Sequence, residues 1–159
     1  MTDKVKTFLW YDNQAEEAAQ LYTSLIPNSR VTKVTKYDNA DPTGNTVTIV
    51  DFELAGRQFV AMNAGPMFKF NESISIMVDC EDQAEVDRYW NALTADGGEE
   101  SMCGWLKDKY GLSWQIVPKV LDDLLADPDP ERAGRAMQAM LSMQKLDIAG
   151  LKAAADGKG

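Results

Sequence analysis

Histidine does not occur anywhere in the chain. Its absence removes a leading transition-metal ligand and the side chain best suited to proton transfer near neutral pH. A nucleophile paired with histidine, in the Ser–His–Asp or Cys–His manner, is therefore excluded. Cysteine is scarce: Cys80 and Cys103 are too few for a disulfide framework and fit a reducing cytoplasm. Long apolar runs are missing too; none approaches the ~20 residues that cross a bilayer. The opening Met1-Thr2-Asp3-Lys4 lacks the charged-then-apolar order of a signal peptide, so a cytoplasmic protein with no membrane partner is expected. Positive charge is in the minority, with 16 Lys and Arg against 25 Asp and Glu and a net charge of −9. Such a surface repels nucleic acid, which is not an expected partner; the plain use of the excess is solubility.

What the chain does have is an internal repeat. Gln14-Ala15-Glu16-Glu17-Ala18 opens a run through Tyr22 to Leu25, and Gln83-Ala84-Glu85-Val86-Asp87 opens another through Trp90 to Leu93. Each run follows an extended apolar segment and precedes strand-like sequence. With 159 residues and 45% hydrophobic content, the chain is expected to form one domain, 1–159, with a real core.

The first module is read over 4–66. Val5–Trp10 is a strand. Asp12-Asn13 offers a helix cap, and Ala18, Leu21, Tyr22 and Leu25 share one face of a helix ending near Pro27. Strands follow over Arg30–Tyr37, Thr46–Leu54 and Gln58–Met62, with a tight turn at Ala55-Gly56-Arg57. The second module is read over 72–118. Ser73–Cys80 is a strand; Asp82 caps a helix whose apolar face holds Val86, Tyr89, Trp90 and Leu93. Glu99–Cys103 is a short strand and Leu112–Val117 the last, with room for one more between them. A helical extension occupies 119–156. Asp129 caps and Pro130 starts a helix to about Met143, with Ala133, Met137, Met140 and Leu141 on its apolar face. Asp147 caps a final short helix carrying Ile148 and Leu151, and Gly157-Lys158-Gly159 is expected to fray. The fold class is α+β: paired βαβββ modules forming a cupped mixed sheet, helices outside, a ligand cleft within.

Specific stretches narrow this. Phe8-Leu9-Trp10-Tyr11-Asp12 precedes the first helix. Asn63-Ala64-Gly65-Pro66-Met67-Phe68-Lys69-Phe70-Asn71 is of the type LNGGPxFxFN. Asp82 to Asp87 precedes Trp90, and Cys103-Gly104-Trp105-Leu106 runs on to Gly111-Leu112-Ser113-Trp114-Gln115-Ile116-Val117-Pro118. Together they resemble the PhnB-like group, often described as 3-demethylubiquinone-9 3-methyltransferase domain proteins. That group belongs to the vicinal oxygen chelate superfamily of glyoxalase I, bleomycin-resistance proteins and extradiol dioxygenases. The resemblance implies the paired glyoxalase/bleomycin resistance-like modules, a homodimer, and a metal held from the first and last strands of each module. Carried over, the ligand positions are Thr7, Ser75 and Gln115, with Asn63 near the fourth.

Those four are neutral oxygen donors, whereas zinc, nickel and iron sites favour imidazole, thiolate or carboxylate. The expectation is therefore no metal and no cofactor. The same groups suit hydrogen bonds to a small, partly apolar molecule, with Trp10, Phe70, Trp105 and Trp114 as candidate walls. Core packing is the plainer role for Trp114. A metal-dependent lyase or dioxygenase is the competing class, and a purely structural subunit a third. The methyltransferase description finds no glycine-rich strand-to-helix turn of the S-adenosylmethionine type; Gly65 and Gly97-Gly98 are isolated. Cys103 is a ligand-binding candidate, but no histidine can activate its thiol, and Cys80 reads as buried and inert. Asp51 and Glu53 share a strand face and read as edge charges. Met137, Met140 and Met143 read as a subunit interface.

Overall fold

The computed structural model describes residues 4–158; the readings that involve Met1 to Asp3 and Gly159 lie outside the described residues. The chain divides into two compact units, 1–70 and 71–159.

In the first unit, β1 (Thr7–Tyr11) leads into α1 (Ala15–Leu25), followed by β2 (Arg30–Tyr37), β3 (Val47–Leu54) and β4 (Arg57–Asn63). The sheet order is β1-β4-β3-β2. β1 runs parallel to β4 and the other neighbours are antiparallel. A parallel pair needs a long crossover, and α1 begins it. Alternation along β3 is strict: Thr48, Val50, Phe52 and Leu54 are buried, and the residues between them are half-buried. Phe52 stacks on Phe59 of β4 with 5.3 Å between ring centres, and Tyr22 of α1 lies 6.4 Å from Phe52. The Tyr11 and Tyr22 hydroxyls are 3.0 Å apart, so α1 covers the face carrying Tyr11, Phe52 and Phe59. The helix buries Ala15, Ala18, Ala19 and Tyr22, while Leu21 and Leu25 are only half-buried. Small alanines let the helix lie close to the sheet, which turns the buried stripe away from the expected leucines.

Three expectations change here. The strand starts at Thr7, and Val5 is exposed. Neither Asp12 nor Asn13 caps α1; its N-cap is Gln14, which makes no side-chain capping bond. The Ala15 amide donates instead to Asn63 Oδ1 at 2.7 Å, a cap delivered from the end of β4. Asp51 and Glu53 lie on an interior strand, not an edge. Glu53 takes Arg30 Nε at 3.3 Å and Gln58 Nε2 at 2.8 Å from the strands on either side.

In the second unit, β5 (Ser75–Cys80), α2 (Gln83–Thr94), β6 (Glu99–Glu100), β7 (Trp105–Lys107) and β8 (Ser113–Pro118) repeat the plan. Their order is β5-β8-β7-β6, again with the first and last strands parallel. Asp82 accepts from the Glu85 amide at 2.9 Å, and α2 buries Val86, Tyr89, Trp90 and Leu93. The expected strand through Cys103 stops at Glu100, because Cys103 and Gly104 take φ of +60° and +84°. Their amides donate to Met143 and Gln144 carbonyls at 2.7 and 2.9 Å. Trp105–Lys107 is the additional strand for which the sequence left room.

The extension contains α3 (Val120–Leu125), which the sequence reading did not separate, α4 (Pro130–Leu141) and α5 (Ile148–Ala155). Val117, Leu121, Leu146 and Leu151 form its core, with Met140 and Met143 packed against it. Two of the three expected interface methionines therefore work inside the unit; Met137 and Leu141 remain exposed. Gln83 fastens the extension to α2. Its Nε2 donates to the Leu146 carbonyl at 3.1 Å and its Oε1 accepts from the Ile148 amide at 2.8 Å. A side chain at Gly104 would meet the Ile116 carbonyl oxygen at 2.9 Å and Leu146 Cδ1 at 3.0 Å, so the chain passes there only as glycine. The described part of the tail is not frayed. Gly157, at positive φ, and Lys158 return hydrogen bonds to Ala154 and Ala153, closing α5 with a Schellman motif. No helix among the described residues is long and apolar enough to cross a membrane.

Candidate functional site

The face of the second sheet away from α2 carries a polar row and, beside it, a mixed one. Cα register aligns Ser75, Ser113, Lys107 and Glu99 across the four strands. The next row aligns Met77, Gln115 and Trp105. Successive residues of β8 point to opposite faces, so Trp114 and Ile116 share the core side and Ser113 and Gln115 the other, where Ser113 too is buried. Gln115 Nε2 donates to Ser75 Oγ at 2.9 Å. Two of the sequence-derived site residues thus meet directly, and Trp105 flanks Gln115.

Thr7 and Asn63 are placed differently. Thr7 alternates with Leu9 and Tyr11, on the α1 side of the first sheet. The repeat itself explains this: aligning Gln14 with Gln83 sets Lys6, not Thr7, against Ser75. Asn63 faces the same side, where its Oδ1 caps α1. Trp10 projects from the opposite face of β1; its Nε1 donates to the Gly65 carbonyl at 2.9 Å and its ring meets Phe68 edge-on at 4.9 Å. Phe70 meets Tyr11 edge-on at 5.2 Å. Trp114 is fully buried and its Nε1 donates to Asp108 Oδ2 at 2.9 Å. Cys103 is half-buried in the loop fastened to the extension. Cys80 is fully buried, and burial, aided by Glu85 and Asp79, pushes its thiol up to about 12. That thiol is no nucleophile at neutral pH.

The sequence reading gave no role to Lys107, Ser113 or Asp108; the first two lie on this face, whereas Asp108 sits with Trp114 on the buried side. Lys107 pairs with Glu72. The Lys107 hydrogen bond holds the Glu72 carboxyl below its ordinary range, and the same bond holds the Lys107 ammonium above its own. Asp108 is buried and organises the β7–β8 turn, its Oδ1 accepting from the Tyr110 and Leu112 amides at 2.9 and 3.1 Å. The signal for it was present in Asp108-Lys109-Tyr110-Gly111, a turn-forming sequence. Ser113 could have been found by counting two residues back from Gln115.

A divalent ion is poorly matched to this face. Gln115 and Ser75 are already hydrogen-bonded to each other. Among the described residues no three His, Cys, Asp or Glu side chains are grouped to hold a metal ion. The neutral Ser75, Ser113 and Gln115 groups offset little of an ion's hydration, and of the carboxylates beside them Glu72 is already paired with Lys107.

Two βαβββ units with first and last strands parallel define the glyoxalase/bleomycin resistance-like class, the vicinal oxygen chelate superfamily. Residues 3–117 match the family model described as 3-demethylubiquinone-9 3-methyltransferase, and the chain belongs to that family. The PhnB protein of Bacillus cereus, named for the same methyltransferase, is 32% identical; the match covers 73% of this chain and 99% of that one, with a TM-score of 0.66. Protein PA1353 of Pseudomonas aeruginosa is 16% identical over 74% of this chain and 98% of that one, TM-score 0.60. The fosfomycin resistance protein FosX of Listeria monocytogenes, in complex with Mn(II) and sulfate, is 19% identical over 72% and 89%, TM-score 0.50. No curated protein matches. The extension after Pro118 lies outside the family match.

Proposed function

We propose that this protein binds a small, partly apolar organic molecule on the second sheet without the help of a metal. The observation that carries the reading is the Ser75–Gln115 hydrogen bond, a pair of neutral groups on a sheet face that also holds Trp105. Such a pair fixes the orientation of an organic ligand through its spare donor and acceptor sites, while an aromatic wall supplies contact area. The methyltransferase in the family's description has little to support it in these residues. The strand-to-helix connections are Asp12-Asn13-Gln14 and Glu81-Asp82, with no glycine in either. Each following helix already has one N-terminal amide taken, that of Ala15 by Asn63 and that of Glu85 by Asp82, which leaves a poorer cradle for a charged cofactor tail.

A cytoplasmic homodimer is part of the proposal. Met137 and Leu141, four residues apart on α4, give an exposed apolar contact for a second copy. The test of the binding reading is a thermal-shift screen of small organic molecules on wild type, Gln115→Ala and Ser75→Ala. A ligand that binds only the folded state raises its melting temperature. The expected result is a set of hits whose shifts shrink in both variants. Hits indifferent to both substitutions would contradict it.

A further inference from the structure

A cavity of about 160 Å³ opens beside the polar row of the second sheet. We infer that it seats the ammonium group of a small primary amine, or the amine end of a longer molecule. This rests on the binding reading above and names the chemistry of its ligand.

Charge decides the sign. Lys107 is the one cationic side chain in the lining, and Glu72, Glu99 and Glu100 also line it. Lys107 is already neutralised by Glu72. Glu100 already accepts from the indole nitrogen of Trp90, at 2.7 Å. Glu99, exposed and aligned with Lys107 across the β6–β7 pair, completes the anionic excess. The chain's net charge of −9 adds attraction for cations at long range.

The second observation is independent of charge. Ser113 lines the cavity and is 1% exposed, and its Oγ has no hydrogen-bond partner. An unmet buried hydroxyl is unfavourable, and groups of this kind are met in native proteins by a ligand, ion or water. An ammonium has three N–H donors and no acceptor. One donor can go to Ser113 Oγ and another to a Glu99 oxygen, while the Trp105 ring in the lining attracts the positive charge. The volume equals about five waters of liquid, which suits a short amine and excludes a bulky one.

The test is a titration of protein labelled at the tryptophan indoles, followed by NMR, with n-propylammonium, n-butanol and propionate as cationic, neutral and anionic probes. The expected result is saturable movement of the Trp105 signal with n-propylammonium and affinity about tenfold weaker or worse for the other two. Glu99→Gln, at an exposed position, should weaken the amine severalfold. Ser113→Ala should weaken it too, yet leave the melting temperature of the free protein unchanged or higher, since it removes an unmet hydroxyl. Lys107→Gln should tighten the amine, because it removes a like charge. Propionate binding that Lys107→Gln abolishes would overturn the inference in favour of an anion. So would a lower melting temperature for free Ser113→Ala, or amine binding indifferent to Glu99→Gln. Ligands that depend on Gln115 and Ser75 but not on Ser113 or Glu99 would sink the amine assignment and leave the binding reading standing.

Discussion

In the first unit the sheet face away from α1 carries Phe8, Trp10, Ile49 and Met62 beside Asp51 and the hydrogen-bonded pair Glu53 and Gln58; in the second the corresponding face carries Ser75, Ser113, Gln115 and Lys107 beside Met77 and Trp105. The topology is the same, β1-β4-β3-β2 against β5-β8-β7-β6, but the chemistry offered is not. The helices differ in the same way. Asn63 reaches back from β4 to cap α1, whereas Asp82 caps α2 from within its own connection. The Gln14 side chain accepts from the neighbouring Asn13 amide at 3.4 Å, while its counterpart Gln83 fastens the C-terminal helices with both ends of its amide. Backbone pairing and a buried helix face are enough to preserve a duplicated fold. Side chains outside that core are free to take separate tasks: Glu53 is tied to Arg30 and Gln58 within its sheet, whereas Ser75 and Gln115 pair with each other.

The largest expected effect separates the two tryptophan environments. Trp114→Ala empties a fully buried site and strips Asp108 of a donor, so a loss of about 3–5 kcal/mol is predicted from urea unfolding. Trp10→Ala, at a half-buried site of the first unit, should cost roughly half as much by the same reasoning. Equal losses would erase the distinction between core and face. Next comes Gly104→Ala, which strains a positive φ and crowds Ile116 and Leu146. It should cost about 1–3 kcal/mol and speed hydrogen exchange at the Cys103 and Gly104 amides.

How much of this was legible beforehand follows from where the constraints lie. Strict alternation made β3 readable to within a residue, and the Val86–Tyr89–Trp90–Leu93 stripe made α2 readable. The cap of α1 was not, because its acceptor sits 48 residues away in Asn63. The break after Glu100 was not, because Cys103 takes a left-handed conformation that its residue type rarely adopts. At the site, Ser75 and Gln115 were named from a resemblance and do meet. Thr7 was set one residue off its repeat, and one residue on a strand reverses the face. Lys107 carries no motif; only the pairing of β7 with β8 brings it to that face.

A smaller effect sharpens the contrast between the repeated glutamines. Gln83→Leu removes two hydrogen bonds that hold the extension and should cost about 1–2 kcal/mol. Gln14→Leu should stay within about 0.5 kcal/mol of wild type. Matching losses would show that the extension adds nothing to the clamp. A further effect, confined to high pH, belongs to the second unit, since the first has no cysteine. The folded thiol of Cys80 is raised from 9.0 to about 12, so its contribution is complete below about pH 9. Above that, the unfolded chain ionises first and stability declines as pH climbs toward about 12. The difference in unfolding free energy between wild type and Cys80→Ala should shrink over that window; a constant difference would contradict the buried thiol.

The most direct test of the central claim is metal stoichiometry. Protein purified without a histidine tag would be incubated with zinc, nickel, manganese and iron(II), desalted, and analysed for bound metal per chain. The account predicts far less than one ion per chain, unchanged in Gln115→Ala. One tightly held ion per chain, lost when Gln115 becomes alanine, would contradict it.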